Sequence, residues 1–266
     1  MRKPSSHHRG FTILELLLAM SIFLIICAAM FELLDVSQKK YNSETQLTAA
    51  YQDTRLAMDQ ITRDFNVSGY PPAGMYSPVP TLQPWTYAVG PVAWSPNYPG
   101  ADCQVSVNCI MPGDYDLIIE TRLSTDTNVS WIWYHLDPTT NTLFREVVAK
   151  TGGDPYGTVQ SAGTAVPLLT NVMNNPGDPT LSTQIKLQNP QMYPLGTAQP
   201  IFQYTCDTPY GPLPCNSPLA VGYSTPRNIR DVNITLIVAT PQIDLQTQRF
   251  KLVELSGRGH RLNPNS

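Results

Sequence analysis

Arg9-Gly10-Phe11-Thr12-Ile13-Leu14-Glu15-Leu16-Leu17-Leu18 opens the stretch on which the fold turns; it continues without a charge from Leu16 to Phe31. At 1.5 Å per residue the charge-free part alone is roughly 24 Å long as a helix. With its flanks it spans, or nearly spans, a hydrocarbon layer of about 30 Å. Glu15 stands inside this run. An ionised carboxylate in hydrocarbon is costly, so its presence marks a functional residue with a partner to be found. The amine of a new N-terminus at Phe11 would be such a partner.

The run extends into a single helix expected from Phe11 to about Val67, with no proline between Phe11 and Gly69. Beyond Asp35 the pattern becomes amphipathic. Leu47, Tyr51, Thr54, Met58, Ile61 and Phe65 recur at steps of three and four and form one apolar stripe. Gln52, Asp53, Arg55, Asp59 and Arg63 lie on the opposite face, where Arg55/Asp59 and Asp59/Arg63 are i,i+4 pairs. The stripe covers only a few turns, so it is expected to pack under a sheet rather than form a free coiled coil. Ser68-Gly69-Tyr70-Pro71-Pro72 stops the helix.

Gly10-Phe11-Thr12-Ile13-Leu14-Glu15-Leu16, behind a leader carrying Arg2, Lys3 and Arg9, resembles the type III signal sequence of type IV pilins and type II secretion pseudopilins. The resemblance implies that a prepilin peptidase cuts between Gly10 and Phe11 and methylates the new amine of Phe11. It also implies that Glu15 is the acidic assembly residue, pairing with the Phe11 amine of its own or the next subunit. The chemistry suits these roles. Gly10 lets a protease approach the backbone closely, and the basic leader stays on the cytoplasmic side. An unpaired Glu15 would penalise wrong register in a stack of such helices. A secretory signal peptide would want small residues after the apolar run, where Phe31-Glu32-Leu33-Leu34-Asp35 stands instead. A plain signal anchor explains the span but neither Gly10-Phe11 nor Glu15.

Further segments resemble PilW-type minor pilins and the J-type minor pseudopilins. They are Arg55 to Phe65 followed by Gly69-Tyr70, with Ser68 in place of the common alanine; Tyr134-His135-Leu136-Asp137 with Leu143-Phe144-Arg145; and Ile229-Arg230-Asp231-Val232-Asn233-Ile234-Thr235-Leu236. The resemblance implies an α+β, pilin-like fold, a long N-terminal α-helix packed on an antiparallel β-sheet head with long loops. The expected divisions are a leader 1–10, a membrane and polymerisation half-helix 11–35, an amphipathic half 36–68 and an extracytoplasmic head 69–266. Expected partners are the prepilin peptidase, other major and minor pilins or pseudopilins, and the inner-membrane platform of the assembly machine. The expected location is the bacterial inner membrane with the head in the periplasm, and then the tip of a fibre.

In the head, strands are expected at 115–121, 129–136, 142–148, 229–239 and 249–255. Asp137 to Asn141 turns one hairpin, and the last two strands pair. Short strands are expected at 166–170, 183–187 and 202–204. Residues 71–112 and 149–200 read as long loops, the first rich in proline, glycine and aromatics.

Composition fits an extracytoplasmic, loop-rich domain: charged residues make up only 14%, with 25 prolines. Net charge is −3, and loss of residues 1–10 removes three cations and leaves −6, which argues against nucleic-acid binding. Of the five cysteines, Cys27 lies in the apolar helix. The others form two close pairs, Cys103/Cys109 and Cys206/Cys215. Three pairings exist; local bridges of about 2–3 kcal/mol each are favoured over a four-thiolate metal site, whose spacing is usually tighter, and over free thiols.

No H-E-x-x-H, nucleophile elbow, Walker loop or dinucleotide fingerprint occurs. The expectation is a protein that is not an enzyme and takes no cofactor or metal. His135 is expected to be a strand residue at the surface or in packing, and His260 to lie in a C-terminal tail. Asp114/Asp116 and Asn174 to Asp178 lack the calcium-loop spacing and read as solvated turns. Trp85, Tyr87, Trp94 and Tyr98 read first as packing beneath a loop and second as a partner surface. Three roles remain for the chain: a minor pilin, a minor pseudopilin, and, in another class, a tip adhesin or signal-anchored ligand-binding ectodomain.

Overall fold

The structure is a computed structural model and describes residues 12–76, 85–123 and 127–262. Helix α1 runs Ile13–Asn66 without interruption, 54 residues, about 80 Å at helical rise. Its buried residues, Ala50, Thr54, Ala57, Met58, Ile61, Asp64 and Phe65, all lie in the C-terminal half. The apolar N-terminal half is not buried against any of the described residues and is long and apolar enough to cross a membrane. Of the stripe expected from sequence, Tyr51 is 46% exposed, while Ala50 and Thr54 on either side of it are buried, so Tyr51 lies at the edge of the covered face. Gly69, at a positive φ of 75°, turns the chain out of the helix, and its N–H donates to the Glu120 carbonyl at 2.7 Å.

The head contains two four-stranded antiparallel sheets. The first is a meander in chain order: β1 (Asp116–Thr121), β2 (Ser130–Asp137), β3 (Thr142–Ala149) and β4 (Val166–Leu169). The second has the order β6-β5-β7-β8, from β5 (Phe202–Thr208), β6 (Gly211–Pro214), β7 (Ile229–Ala239) and β8 (Leu252–His260). A Val172–Val238 bridge and the N–H groups of Ile201 and Phe202, donating to the Asp114 carbonyl at 2.9 and 3.0 Å, tie the sheets together.

Strand alternation explains why the strands are so apolar. Leu117, Ile119, Ile132 and Tyr134 of the first sheet and Val232, Ile234, Leu236 and Val238 of the second face one core with Met58, Ile61 and Phe65 of α1. The alternate residues are buried too. Ile118, Trp131 and Trp133 pack under Trp94, Tyr98 and Met111 of the first long loop, while Ile237 and Ala239 pack under Ile185 and Tyr193. Ile61 and Phe65 are fully buried, and each contributes about 1.5–3 kcal/mol to holding the helix on the head.

Strand β8 lies directly under α1. A Cβ at Gly259 would stand 2.9 Å from a ring carbon of Phe65 and 3.0 Å from its Cβ, so only glycine permits this approach. That contact draws β8 past its expected end: Leu252–His260 replaces 249–255, and Arg249 belongs to the preceding loop. Consequently His260 is a strand residue, not part of a tail.

Two further elements depart from expectation. The strand expected at 183–187 is part of helix α3 (Pro179–Gln188), and helix α2 (Pro155–Ala162) forms inside a presumed loop. Both start with Asp-Pro. Asp178 accepts from the N–H of Thr180 and Leu181, Asp154 accepts from the N–H of Gly157, and the proline sits in the first helical turn. Capping and the pre-set proline φ outweigh the β-branched character of Thr183 and Ile185. The expected loop after Tyr204 is the β5–β6 hairpin.

Candidate assembly site

The site begins at the first turn of α1. Thr12 is the N-cap, and Thr12 with Glu15 forms a capping box. Glu15 Oε2 accepts from the Thr12 N–H at 3.1 Å and from its hydroxyl at 3.2 Å, while the Glu15 N–H donates to Thr12 Oγ1 at 3.3 Å. The Thr-x-x-Glu spacing is a local signal that could have revealed this capping box, which the sequence reading did not use. It fixes where the helix starts and holds the Glu15 carboxylate at its N-terminal end, where the helix dipole favours negative charge. Gly10 and Phe11 lie outside the described residues.

At its other end α1 is clamped to the first sheet. Asp64 is nearly buried and accepts from the Tyr134 hydroxyl at 2.6 Å and Arg145 Nε at 2.9 Å, with Gln60 Nε2 at 2.9 Å. Burial, then the charge of Asp64, raises the Tyr134 pKa far above its ordinary value, so the hydroxyl stays a donor. These contacts fasten the C-terminal half of α1 to the first sheet.

Residues 5–31 match the prokaryotic N-terminal methylation motif. The match takes in part of the leader, Gly10, Phe11, Glu15 and the charge-free run, and it supports a type IV pilin-like protein. A motif of this kind implies processing by prepilin peptidase and association with pilins in general, and with the long apolar helix it fits a membrane-anchored subunit. No curated protein and no solved structure matches the chain.

The cysteines form Cys103–Cys109 and Cys206–Cys215 bridges, and Cys27 is a free thiol on the helix. The Val105 N–H of the first bridged loop donates at 2.8 Å to the Ser224 carbonyl, in the segment that follows the second bridge and leads into the start of β7, which pairs with the end of β8 beside Asn66 at the C-terminus of α1. Trp94 and Tyr98 are buried edge to face, 4.8 Å between centroids, and belong to the core rather than to a partner surface. His135 is stacked between Trp133 at 3.8 Å and Phe144 at 5.2 Å. Its burial lowers its pKa, with Glu146 and Asp137 opposing. His260 Nδ1 lies 2.5 Å from Asp231, which is fully buried and also receives Arg258. Among the described residues no group of three or more potential metal ligands occurs.

The solvated-turn reading of 174–178 holds only in part. Asn174 is fully buried, and its amide donates to the Thr235 carbonyl at 2.9 Å while its oxygen accepts from the Ile237 N–H at 2.9 Å. Asp116 is not a solvated turn residue either: it begins β1, and burial raises its pKa to about 6, with the Trp133 side chain opposing. Unfolded, it would titrate near 3.8. Between those values the folded chain binds more proton than the unfolded one, so this group's contribution to stability falls as pH rises from about 4 to about 6. Asp116→Asn is expected to remove that loss, gaining about 1–3 kcal/mol at pH 7.5 and little at pH 4. Urea midpoints of both chains at the two pH values check it; equal gains at both would refute it.

Sequence reasoning missed a fully buried ion pair. Lys150 Nζ lies 2.8 Å from Glu120 Oε1, and neither side chain is exposed. Glu120 also accepts from the Val89 N–H at 2.7 Å, the Gly90 N–H at 3.2 Å, Trp131 Nε1 at 3.1 Å and the Tyr98 hydroxyl. Lys150 donates to the Tyr87 carbonyl at 2.8 Å. Burial lowers the Lys150 pKa, and Glu120 opposes that shift. The pair pins the first long loop to the outer face of the sheet.

Proposed function

We propose that the chain is a PilW-like minor pilin that assembles or primes a type IV pilus. A prepilin peptidase removes residues 1–10 and methylates Phe11. Residues 11–35 then hold the subunit in the inner membrane, 36–68 carry the head, and residues 69–266 fold in the periplasm. On assembly the apolar half of α1 moves from lipid into the fibre core, and the head presents subunit-specific contacts near the tip. Glu15 pairs there with a Phe11 amine. Its partners are the assembly platform and other pilins.

The observation that carries this reading is the register of the methylation motif with the helix start. The expected cut leaves one residue, Phe11, before the N-cap Thr12, in sequence just ahead of the helix. Processing therefore exposes a new amine within a turn of Glu15 while leaving the helix intact.

N-terminal mass spectrometry of the protein from its own host tests the proposal. The expected result is a mature chain that begins at Phe11 and carries one extra methyl group. A chain that retains Met1, or one cut after the apolar run, would overturn it.

A further inference from the structure

The second sheet brings a loop back along α1 to the level where the helix meets the membrane. Strand β8 runs parallel to α1, with Gly259 against Phe65 and Gly257 against Met58. The β7–β8 loop, residues 240–251, therefore lies at the membrane-proximal end of the head. Ser43 Oγ donates to Asp244 at 3.0 Å, Gln46 to Gln242 at 3.3 Å, and Lys251 Nζ lies 3.1 Å from Glu44. Leu245 and Ile243 line a small cleft with Lys39 and Asn42.

The loop is built rather than slack. The Asp244 carboxylate accepts from the N–H of Gln246 at 2.8 Å and of Thr247 at 3.2 Å, and the Asp244 N–H donates to the Arg249 carbonyl at 2.9 Å. Yet it holds two large apolar side chains in the open: Leu245 is 60% exposed and Ile243 41%. Folding such a loop around two unburied aliphatic groups has no return within the chain.

Its position supplies one. The charge-free run ends at Phe31 and Leu33-Leu34 follow Glu32 as the last apolar pair before Asp35; Lys39 is five residues beyond Leu34, about 8 Å along the helix axis. The headgroup layer on one side of a bilayer is roughly 5–8 Å deep, the difference between the full and hydrocarbon thicknesses. Tyrosine favours either membrane–water boundary and lysines near the end of a membrane helix snorkel to it; Tyr41, 72% exposed, and Lys39 and Lys40 stand at this level. Arg249, at the foot of the loop, is exposed as well.

We propose that Leu245 and Ile243, flanked by Lys39, Lys40 and Arg249, rest in the lipid headgroup layer and seat the head on the membrane surface before assembly. This rests on the reading of α1 as membrane-anchored. The contact adds to the helix anchor and limits how far the head can tilt and swivel. It also gives assembly a second lipid contact to break when the subunit is lifted into a fibre.

The test uses the full chain in bilayers of phosphatidylethanolamine and phosphatidylglycerol containing brominated lipids. An environment-sensitive fluorophore is attached in detergent, without reductant, at one of three sites before reconstitution. These are native Cys27, and Leu245→Cys or Val221→Cys in a Cys27→Ser background. Val221, 68% exposed at the far end of the head, is the control. The expected result is quenching of the Cys27 probe by deep bromines, of the Leu245 probe by shallow ones, and none at Val221. Quenching at Cys27 with none at Leu245 overturns the lipid seat, leaves the membrane helix standing and assigns the loop to a protein neighbour. No quenching at Cys27 overturns the membrane reading and the seat with it.

Discussion

Lys150→Met is expected to lower the stability of the head by about 3–5 kcal/mol, the cost of leaving one charge of a buried pair uncompensated. Methionine fills much of the space of the lysine stem, so the loss is electrostatic rather than a cavity. Glu120 would remain under the first long loop with four neutral donors and no cation. Folded domains are stable by only about 5–15 kcal/mol in total, so the variant stands near unfolding. Urea denaturation of the full chain in micelles, followed by tryptophan fluorescence, reads this directly, since Trp94 and Trp131 flank the pair.

The double variant separates charge from packing. Glu120→Gln together with Lys150→Met removes the orphaned charge and keeps one acceptor oxygen for the Val89 and Gly90 N–H groups, while the new amide NH2 can donate to the Tyr98 hydroxyl oxygen on the other side. It is therefore expected to be more stable than Lys150→Met alone. Additive losses in the two single variants would show that the groups are not coupled, and would sink the ion-pair account.

Glu15→Ala is expected to be cut and methylated normally yet to enter fibres poorly. The cut site lies upstream of the substitution, and the 54-residue helix persists because the lost capping-box carboxylate is only one of its terminal contacts. On the proposed pairing, the same loss would leave a Phe11 amine without its carboxylate in an apolar surround. At about 3–5 kcal/mol for a broken buried pair, each subunit contact would weaken by a hundredfold or more. Quantitative immunoblotting of sheared fibres against the membrane fraction measures it. Wild-type incorporation would refute the register role of Glu15. Failure of cleavage instead would assign the residue to peptidase recognition.

Local sequence decided a good part of the molecule. The charge-free run, the stripe from Thr54 to Phe65 and the Ser68-Gly69 stop specify α1, because a helix is fixed by periodicity and caps within its own length. The alternation of β2 and β7, and the turn at Asp137 to Asn141, likewise belong to contiguous segments. Glu15 stands out for the same reason: one charge in an apolar run is visible without knowledge of any neighbour. The two Asp-Pro helix starts were equally local and were overlooked because short helices lack the repeats that make periodicity persuasive.

Other features came only with tertiary structure. Glu120 ends an ordinary-looking strand and Lys150 follows another, thirty residues on in sequence. They meet because Glu120 pairs with Trp131 and Trp131 with Val148 across β1, β2 and β3. Asp64 finds Tyr134 and Arg145 by the same lateral ordering, and the β7–β8 loop reaches Lys39 only because Gly257 and Gly259 let β8 lie against α1. The sequence by itself therefore determined the long helix, its processing motif and its one displaced charge, since those depend on spacing along a single element. The tertiary structure decided which polar groups are buried together and which apolar ones stay exposed. Those depend on strand register and on close approach between elements, which no local window of residues contains.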